Sequence, residues 1–205
     1  MAIAHLRAAD PVLARLLDEC GPPSMVRDAS RPGPADHYGA LLRAIVGQQL
    51  STLAARAIYG RLVERFGGRT PTPQELLDED PDEMRPAVGL SRAKVASLRS
   101  LAEHVISGEL ELERIAELPD EELIAELVAV KGIGVWTAHM FLMFQLERPD
   151  VLATGDLGIR RAVERAYALP ALPEPDELTA LAEPWRPYRS AACRILWHSL
   201  ANAPV

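Results

Sequence analysis

The chain has 205 residues, 48% of them apolar and 25% charged, with a formal charge of −7 and two cysteines. These values belong to an ordinary globular protein with room for one or two cores, and they exclude a disulfide scaffold, a four-thiolate iron–sulfur cluster and a highly basic nucleic-acid coat. The sequence shows no basic start followed by an apolar core and no apolar run near the ~20 residues that span a bilayer, so it reads as soluble and cytoplasmic, nucleoid-associated in a bacterium. Any hold on a polyanion has to be local.

Taken in order, the elements are helices that start at a capping residue, often followed by proline, and continue with apolar residues three and four apart. Asp10 with Pro11 opens PVLARLL, Asp36 opens HYGALLRAIVGQQ, and Ser51 opens TLAARAIYGRLVERF, which Gly67 and Gly68 close. Thr72 with Pro73 starts QELL. Ser91 caps RAKVASLRSLAEHVIS, which Gly108 ends, and a short helix ELERIAEL follows. Pro119 leads into DEELIAELVAV, where Leu123, Leu127 and Val130 share a face. A helix from Val135 carries WTAHMFLMFQL; RPDVLATGD reads as extended chain and LGIRRAVERAYAL as helix. LPALPEPDE is a proline-rich surface connection, and WRPYRSAACRILWHSL closes the chain as a helix. Strand-like alternation is nearly absent. The expectation is an all-α protein of roughly ten helices in two lobes, one over 37–149 and the other built from 1–36 with 150–205.

Between Val130 and Ala138 the sequence is VKGIGVWTA. A helix ending at Val130, a tight turn through Lys131, Gly132, Ile133 and Gly134, and a new helix from Val135 make a helix-hairpin-helix over 120–145. Glycines tolerate positive φ and leave backbone amides bare, so a phosphate can approach the N-terminus of the second helix, with Ile133 as the plug that pins the turn. Such a site grips a sugar–phosphate backbone without reading bases and needs few basic side chains. A glycine turn joining two packed helices accounts equally well for GxG alone.

The surrounding order is more specific. LVAVKGIGVWTA, then MFLMF, then RPDVLATGDLGIRRAV resembles the helix-hairpin-helix (HhH-GPD) superfamily of DNA glycosylases. LLRAIVGQQLS, GLSRAKVASLRSLA and WRPYRSAACRILW resemble the family's early signature, the segment before the hairpin and the closing helix. Four stretches in family order span roughly Asp36 to Leu200. The nearest branch is that of alkylation repair, the AlkA-type 3-methyladenine DNA glycosylases, in a short form without the N-terminal β-rich domain of the longer bacterial members. The resemblance implies an active site in the cleft between two helical lobes and a monomer acting on damaged DNA.

By that resemblance Asp156 is the catalytic carboxylate. Its local chemistry fits, because it precedes LGIRRAVERA, where unpaired amides and the helix dipole favour the charged carboxylate, and such a group faces an oxocarbenium-like sugar in glycoside hydrolysis. A plain helix cap explains the same residue. Gly155 stands where many alkylation-branch members carry a second acid. Relatives that also cut the strand place a Schiff-base lysine where this chain has Trp136, and Lys94 and Lys131 are its two lysines. The resemblance therefore implies a monofunctional enzyme that flips out the nucleotide, releases bases of the 3-methyladenine or 7-methylguanine type and leaves an abasic site.

The implied base pocket is Trp136, Met140, Leu157 and Trp197, the last stacking on the flipped base, whose positive charge an aromatic face attracts. Met140, Phe141, Met143 and Phe144 taken as a set read as core. Gln49 is the implied gap-filling wedge, with Gln48 and Ser51 in the same signature; a helix-end hydrogen-bonding pair is the alternative for the two glutamines. The DNA-contact set is completed by Lys131, Gly132, Ile133, Gly134 and Thr137. The resemblance implies no cofactor beyond a monovalent cation held by the carbonyls of Val128, Val130 and Ile133. The five histidines have no ligand spacing. Arg160, Arg161, Arg186, Arg189 and Arg194 form either a DNA-facing strip or ordinary solvated helix faces. A non-catalytic module that binds distorted duplexes, and a glycosylase for other damaged or mismatched bases, are the other readings; Asp156 argues against the first.

Overall fold

The computed structural model describes residues 1–24 and 36–202. The parts of the expected terminal lobe that fall on 25–35 and 203–205 lie outside the described residues. In chain order the helices are α1 (Ala2–Ala9), α2 (Pro11–Cys20), α3 (His37–Gly47), α4 (Thr52–Arg65), α5 (Pro73–Asp78), α6 (Pro81–Val88), α7 (Arg92–Ser107), α8 (Asp120–Ala129), α9 (Val135–Phe144), α10 (Leu157–Ala166), α11 (Pro175–Leu181) and α12 (Arg189–Asn202), with a 3-10 turn at Glu183–Trp185. No strand occurs among the described residues, so the fold is all-α. None of these helices is long and apolar enough to cross a membrane.

The caps fall where the sequence places them. Asp36, Ser51, Thr72, Ser91 and Asp156 each accept a backbone N–H from the first turn of the helix they precede, and Thr72 with Glu75 closes a reciprocal capping box. The segment ELERIAEL is not a helix. It runs as consecutive turns with three-residue spacing, the Arg114 amide donating to Glu111 and that of Glu117 to Arg114, because Leu110, Ile115 and Leu118 all have to be buried and Pro119 bars Leu118 from continuing a helix. Three helices were not anticipated. α1 precedes Asp10; α6 carries Pro86 in its interior and buries Met84 and Val88; α11 begins inside the proline-rich stretch on a Glu174–Glu177 capping box.

The chain divides into two compact units, Arg31–Phe141 and the combination of Met1–Ser30 with Leu142–Val205, so the division falls within α9. In the first unit α7 is central, packing on α3, α5 and α6, with Val95, Leu98, Leu101 and Ala102 in the core. Two of its cations close neighbouring helix ends. Lys94 Nζ donates to the carbonyls of Val46 (2.8 Å) and Gln48 (3.0 Å), and Arg99 donates to those of Leu76, Leu77 and Glu79. Cations at these C-termini oppose the negative end of the helix dipole.

In the second unit α12 packs on α1, α2 and α10. Asp10 ends α1 and caps α2. One carboxylate oxygen accepts the amides of Val12 (2.8 Å) and Leu13 (3.2 Å); the other accepts the Tyr167 hydroxyl and the Trp185 indole N–H (2.7 Å). Asp10 and Trp185 are both buried, and burial followed by the bond to Asp10 pushes the Tyr167 phenol far above its ordinary value. One carboxylate thus ties the first two helices to residues more than 150 positions away.

Replacing Asp10 by alanine strands those four donors in the interior and is expected to cost about 3 to 5 kcal/mol. Urea unfolding of Asp10→Ala and Asp10→Asn measures it, and Asn, which keeps one acceptor oxygen, should lose less.

Candidate active site and hairpin

The hairpin forms as its residues dictate. α8 ends at Ala129, Val130 turns out of the helix, and the Ile133 amide donates back to the Val130 carbonyl (3.0 Å). Ile133 is buried at 3% exposure and seats the turn, while Leu123, Leu127 and Val130 are all buried. Gly132 has φ +84°, and a Cβ there would lie 2.1 Å from Ser97 Oγ, so glycine is required both by the backbone and by the close approach of α7. Gly134 differs from expectation. It is not among the glycines with positive φ, and nothing lies within 4 Å of where its Cβ would be; its use is a bare backbone at the start of α9.

Several residues brace this turn. Gln48 Nε2 donates to the Gly132 carbonyl (2.8 Å) and to Thr137 Oγ1 (3.3 Å), so Gln48 and the buried Thr137 hold the hairpin's geometry. Ser100 Oγ accepts the Lys131 amide (3.1 Å). Gln49 is exposed with φ +57°, a strained conformation for a residue with a side chain, and Ser51 caps α4 two residues later. Lys131 and Gly134 are exposed. Trp136 stands 47% exposed and Met140 is half-buried on α9.

In the other unit Asp156 caps α10. Oδ1 accepts the Ile159 amide (2.8 Å) and the Trp197 indole N–H (2.9 Å), and the residue is 9% exposed. Leu157, the next residue, is 48% exposed. The structure therefore brings Asp156 and Trp197 into direct contact across 41 positions. Phe144 departs from the expectation for its set: Phe141 and Met143 are buried, whereas Phe144 is exposed and stacks on Trp197, with ring centroids 5.9 Å apart and planes at 26°. The last turn of this mostly apolar helix leaves its final aromatic at the surface.

The extended segment leading to Asp156 is laced onto the start of α12. The Ser190 hydroxyl accepts the Val151 amide (2.9 Å) and donates to the Arg148 carbonyl (2.6 Å), while the Ser190 amide donates to the Pro149 carbonyl (3.0 Å). Arg189 and Arg186 both clasp Asp150. Burial raises the Asp150 carboxyl, but the hydrogen bonds and charges of these two arginines outweigh it and hold the group below its ordinary value. Cys193 is fully buried behind this segment, and burial pushes its thiol up to about 12, so it is no nucleophile.

The arginine strip is largely spent inside the protein. Arg160 bonds the Pro173 carbonyl and Glu174, Arg186 bonds Asp150 and Glu183, Arg189 bonds Asp150, and Arg194 lies 4.8 Å over the Phe144 ring while donating to the Met143 carbonyl. Gly158, Phe144, Ser97, Ser190 and Lys94 were not singled out from the sequence in these roles. A glycine in the first turn of a helix, just after its capping aspartate, was the one usable signal for Gly158. Among the described residues no group of three His, Cys, Asp or Glu side chains could hold a metal ion.

Gly132→Ala is expected to cost about 2 to 4 kcal/mol in urea unfolding, from positive φ and the overlap with Ser97. Ser97→Ala in that background should restore part of the loss. Asp150→Asn should cost about 1 kcal/mol at pH 7. A carboxyl held below its unfolded value stabilises the fold above that value, so the gap between variant and parent should close as pH falls below about 4. Chemical denaturation at pH 7 and pH 3 measures both ends.

Residues 42–187 match the HhH-GPD superfamily of base excision DNA repair proteins. The chain is 39% identical over 195 residues to DNA-3-methyladenine glycosylase 1 of Schizosaccharomyces pombe, covering 94% of this chain and 84% of that protein. Its structure resembles that of S. pombe 3-methyladenine DNA glycosylase in complex with abasic DNA, with a TM-score of 0.80, 36% identity and coverage of 98% and 97% of the two chains. It also resembles DNA-3-methyladenine glycosidase from Bacillus halodurans, with a TM-score of 0.81, 33% identity and coverage of 97% and 88%. With about seven-tenths of its length matched by the family and close likeness in both sequence and structure to its members, this chain belongs to the HhH-GPD superfamily of base excision DNA repair proteins.

Proposed function

We propose that this protein is a monofunctional DNA glycosylase that extrudes an alkylated purine of the 3-methyladenine or 7-methylguanine type, hydrolyses its N-glycosidic bond and leaves an abasic site. The observation that carries the reading is the Asp156 carboxylate, held at a helix N-terminus beside the Trp197 indole, in a chain this similar to 3-methyladenine glycosylases. Breakage of the bond from C1′ to the base nitrogen sends the electron pair out with the base. An alkylated, cationic base leaves as a neutral one, and the positive charge passes to the sugar. Asp156 stabilises that charge and orients a water that adds at C1′, whose proton goes to the carboxylate and then to solvent.

The base contacts in this reading are Trp136, Met140, Leu157 and Trp197, with aromatic faces favouring a cationic ring. Gln49 is the wedge for the vacated stack; its exposed, strained backbone presents the side chain outward. Hairpin amides around Gly132, Ile133 and Gly134, with Lys131 beside them, take the phosphate, Gln48 and Thr137 hold that turn in shape, and Ser51, at the start of α4, adds a further DNA contact. The donor set proposed for a monovalent cation is chemically suitable. The Val128 carbonyl lies among the last four of α8, which have no partner within the helix, the Val130 carbonyl has a second lone pair beyond its bond to Ile133, and all three donors are oxygens. When bound, the ion would supply positive charge toward a DNA phosphate.

Absence of strand cleavage is supported at Trp136 and Lys94. Trp136 occupies the hairpin position that a Schiff-base lysine would need, and the Lys94 amine is engaged by two carbonyls at the end of α3. We further propose that the protein acts as a monomer, inside the cell where chromosomal DNA is found.

Purified protein is expected to release free 3-methyladenine or 7-methylguanine from methylated DNA, leaving strands intact until alkali or an abasic-site nuclease is added. Asp156→Asn should reduce release by about 100-fold or more while DNA affinity stays within a few fold. Unaltered release by that variant would remove Asp156 from the chemistry; strand scission by the parent without added nuclease would refute monofunctionality.

A further inference from the structure

Trp197 is gripped more tightly than a stacking platform requires. Phe144 lies along its ring system, and Arg194, three residues earlier on α12, sits over Phe144 and is anchored to the Met143 carbonyl. The indole N–H meets the same Asp156 oxygen that the Ile159 amide holds, at 2.9 Å and 2.8 Å. Gly158 lies between them. A Cβ there would fall 3.0 Å from Asp156 Oδ1 and 3.3 Å from the indole Cδ1 and Nε1, so any larger residue would press on the contact.

We infer that Trp197 is a positioning residue for Asp156, its indole N–H acting with the Ile159 amide to fix the orientation of the carboxylate before DNA arrives, and that Gly158 is the glycine this contact demands. The inference rests on the proposed reading of Asp156 as the carboxylate that faces the sugar. The terminal torsion of an aspartate is broad, so each fixed donor that meets the carboxylate narrows the range its plane can take. Two donors from different helices, α10 and α12, narrow it from two directions. A group that stabilises charge developing at one carbon gains most when no reorientation is needed at the moment of bond breakage. Stacking uses only the ring faces of Trp197, whereas positioning uses only its N–H, and the two roles separate chemically.

The test replaces the N–H and keeps the rings. Trp197→3-benzothienylalanine, introduced at this position alone, puts sulfur where the indole nitrogen stands. Single-turnover release from DNA carrying one 7-methylguanine should fall about 10- to 100-fold, with affinity for that DNA within twofold and the thermal unfolding midpoint unchanged. Gly158→Ala should lower the same rate constant without weakening DNA binding. If the benzothienyl variant releases base at the parental rate while Trp197→Ala does not, the indole is a platform alone and positioning is overturned, with the role of Asp156 untouched. Asp156→Asn run in parallel separates the other failure: full activity in that variant overturns the reading of Asp156 and this inference with it.

Discussion

Two N–H groups on one oxygen of Asp156 are the contact around which the unit formed by the two ends of the chain is arranged. A carboxylate withdrawn from water loses hydration, and fixed N–H donors offset that loss. The first turn of α10 supplies one donor with the positive end of a helix dipole behind it; α12 supplies the other through Trp197. The same α12 laces down the incoming segment through Ser190 and Arg189, and its stacking partner Phe144 comes from the helix that follows the hairpin. The Asp10 cluster then closes the unit from the other terminus. A single long helix therefore sets both the carboxylate and the aromatic surface beside it.

The hairpin solves a different problem with the same economy. On the proposed reading, an acidic chain in which Arg160, Arg186, Arg189 and Arg194 are engaged by internal carbonyls, carboxylates or an aromatic ring needs another source of positive charge to hold a polyanion. Backbone amides carry partial positive charge at no cost in net charge, provided that the turn presenting them is rigid. Rigidity comes from beneath: Ser97 and Ser100 of α7 bring that helix against Gly132 and the Lys131 amide, and Gln48 bridges Gly132 to Thr137. On the proposed reading, Gln48 and Thr137 serve the DNA also by holding the turn that meets it.

The helix plan was legible because its signals are local. Ser91 and Gly108 bracket α7 to the residue, Thr72 and Glu75 form the box their spacing predicts, and Asp156 caps α10, since each of these acts on amides within three positions. The misreadings share one cause. ELERIAEL has a helical composition, but its apolar residues answer to a core around them and not to one helix face. The α6 segment, given no element from the sequence, is helical despite Pro86, and it buries Met84 and Val88 four apart. Phe144 was grouped with its apolar neighbours, although its position at the end of α9 puts it at the surface.

By itself the sequence determined the all-α class, the helix boundaries that caps can set, the glycine turn and, through the order of four motifs, the family. Only the tertiary structure decided that Trp197 hydrogen-bonds Asp156, that Gly158 and Gly132 are close-approach glycines, that Lys94 closes a helix end, and that Arg160, Arg186, Arg189 and Arg194 are engaged within the protein. Capping and turn chemistry act between neighbours in the chain, so they leave a readable pattern. Contacts across 41 or 84 positions, such as Trp197 to Asp156 or Gln48 to Gly132, depend on how helices pack, and packing is fixed by the shapes of many side chains at once.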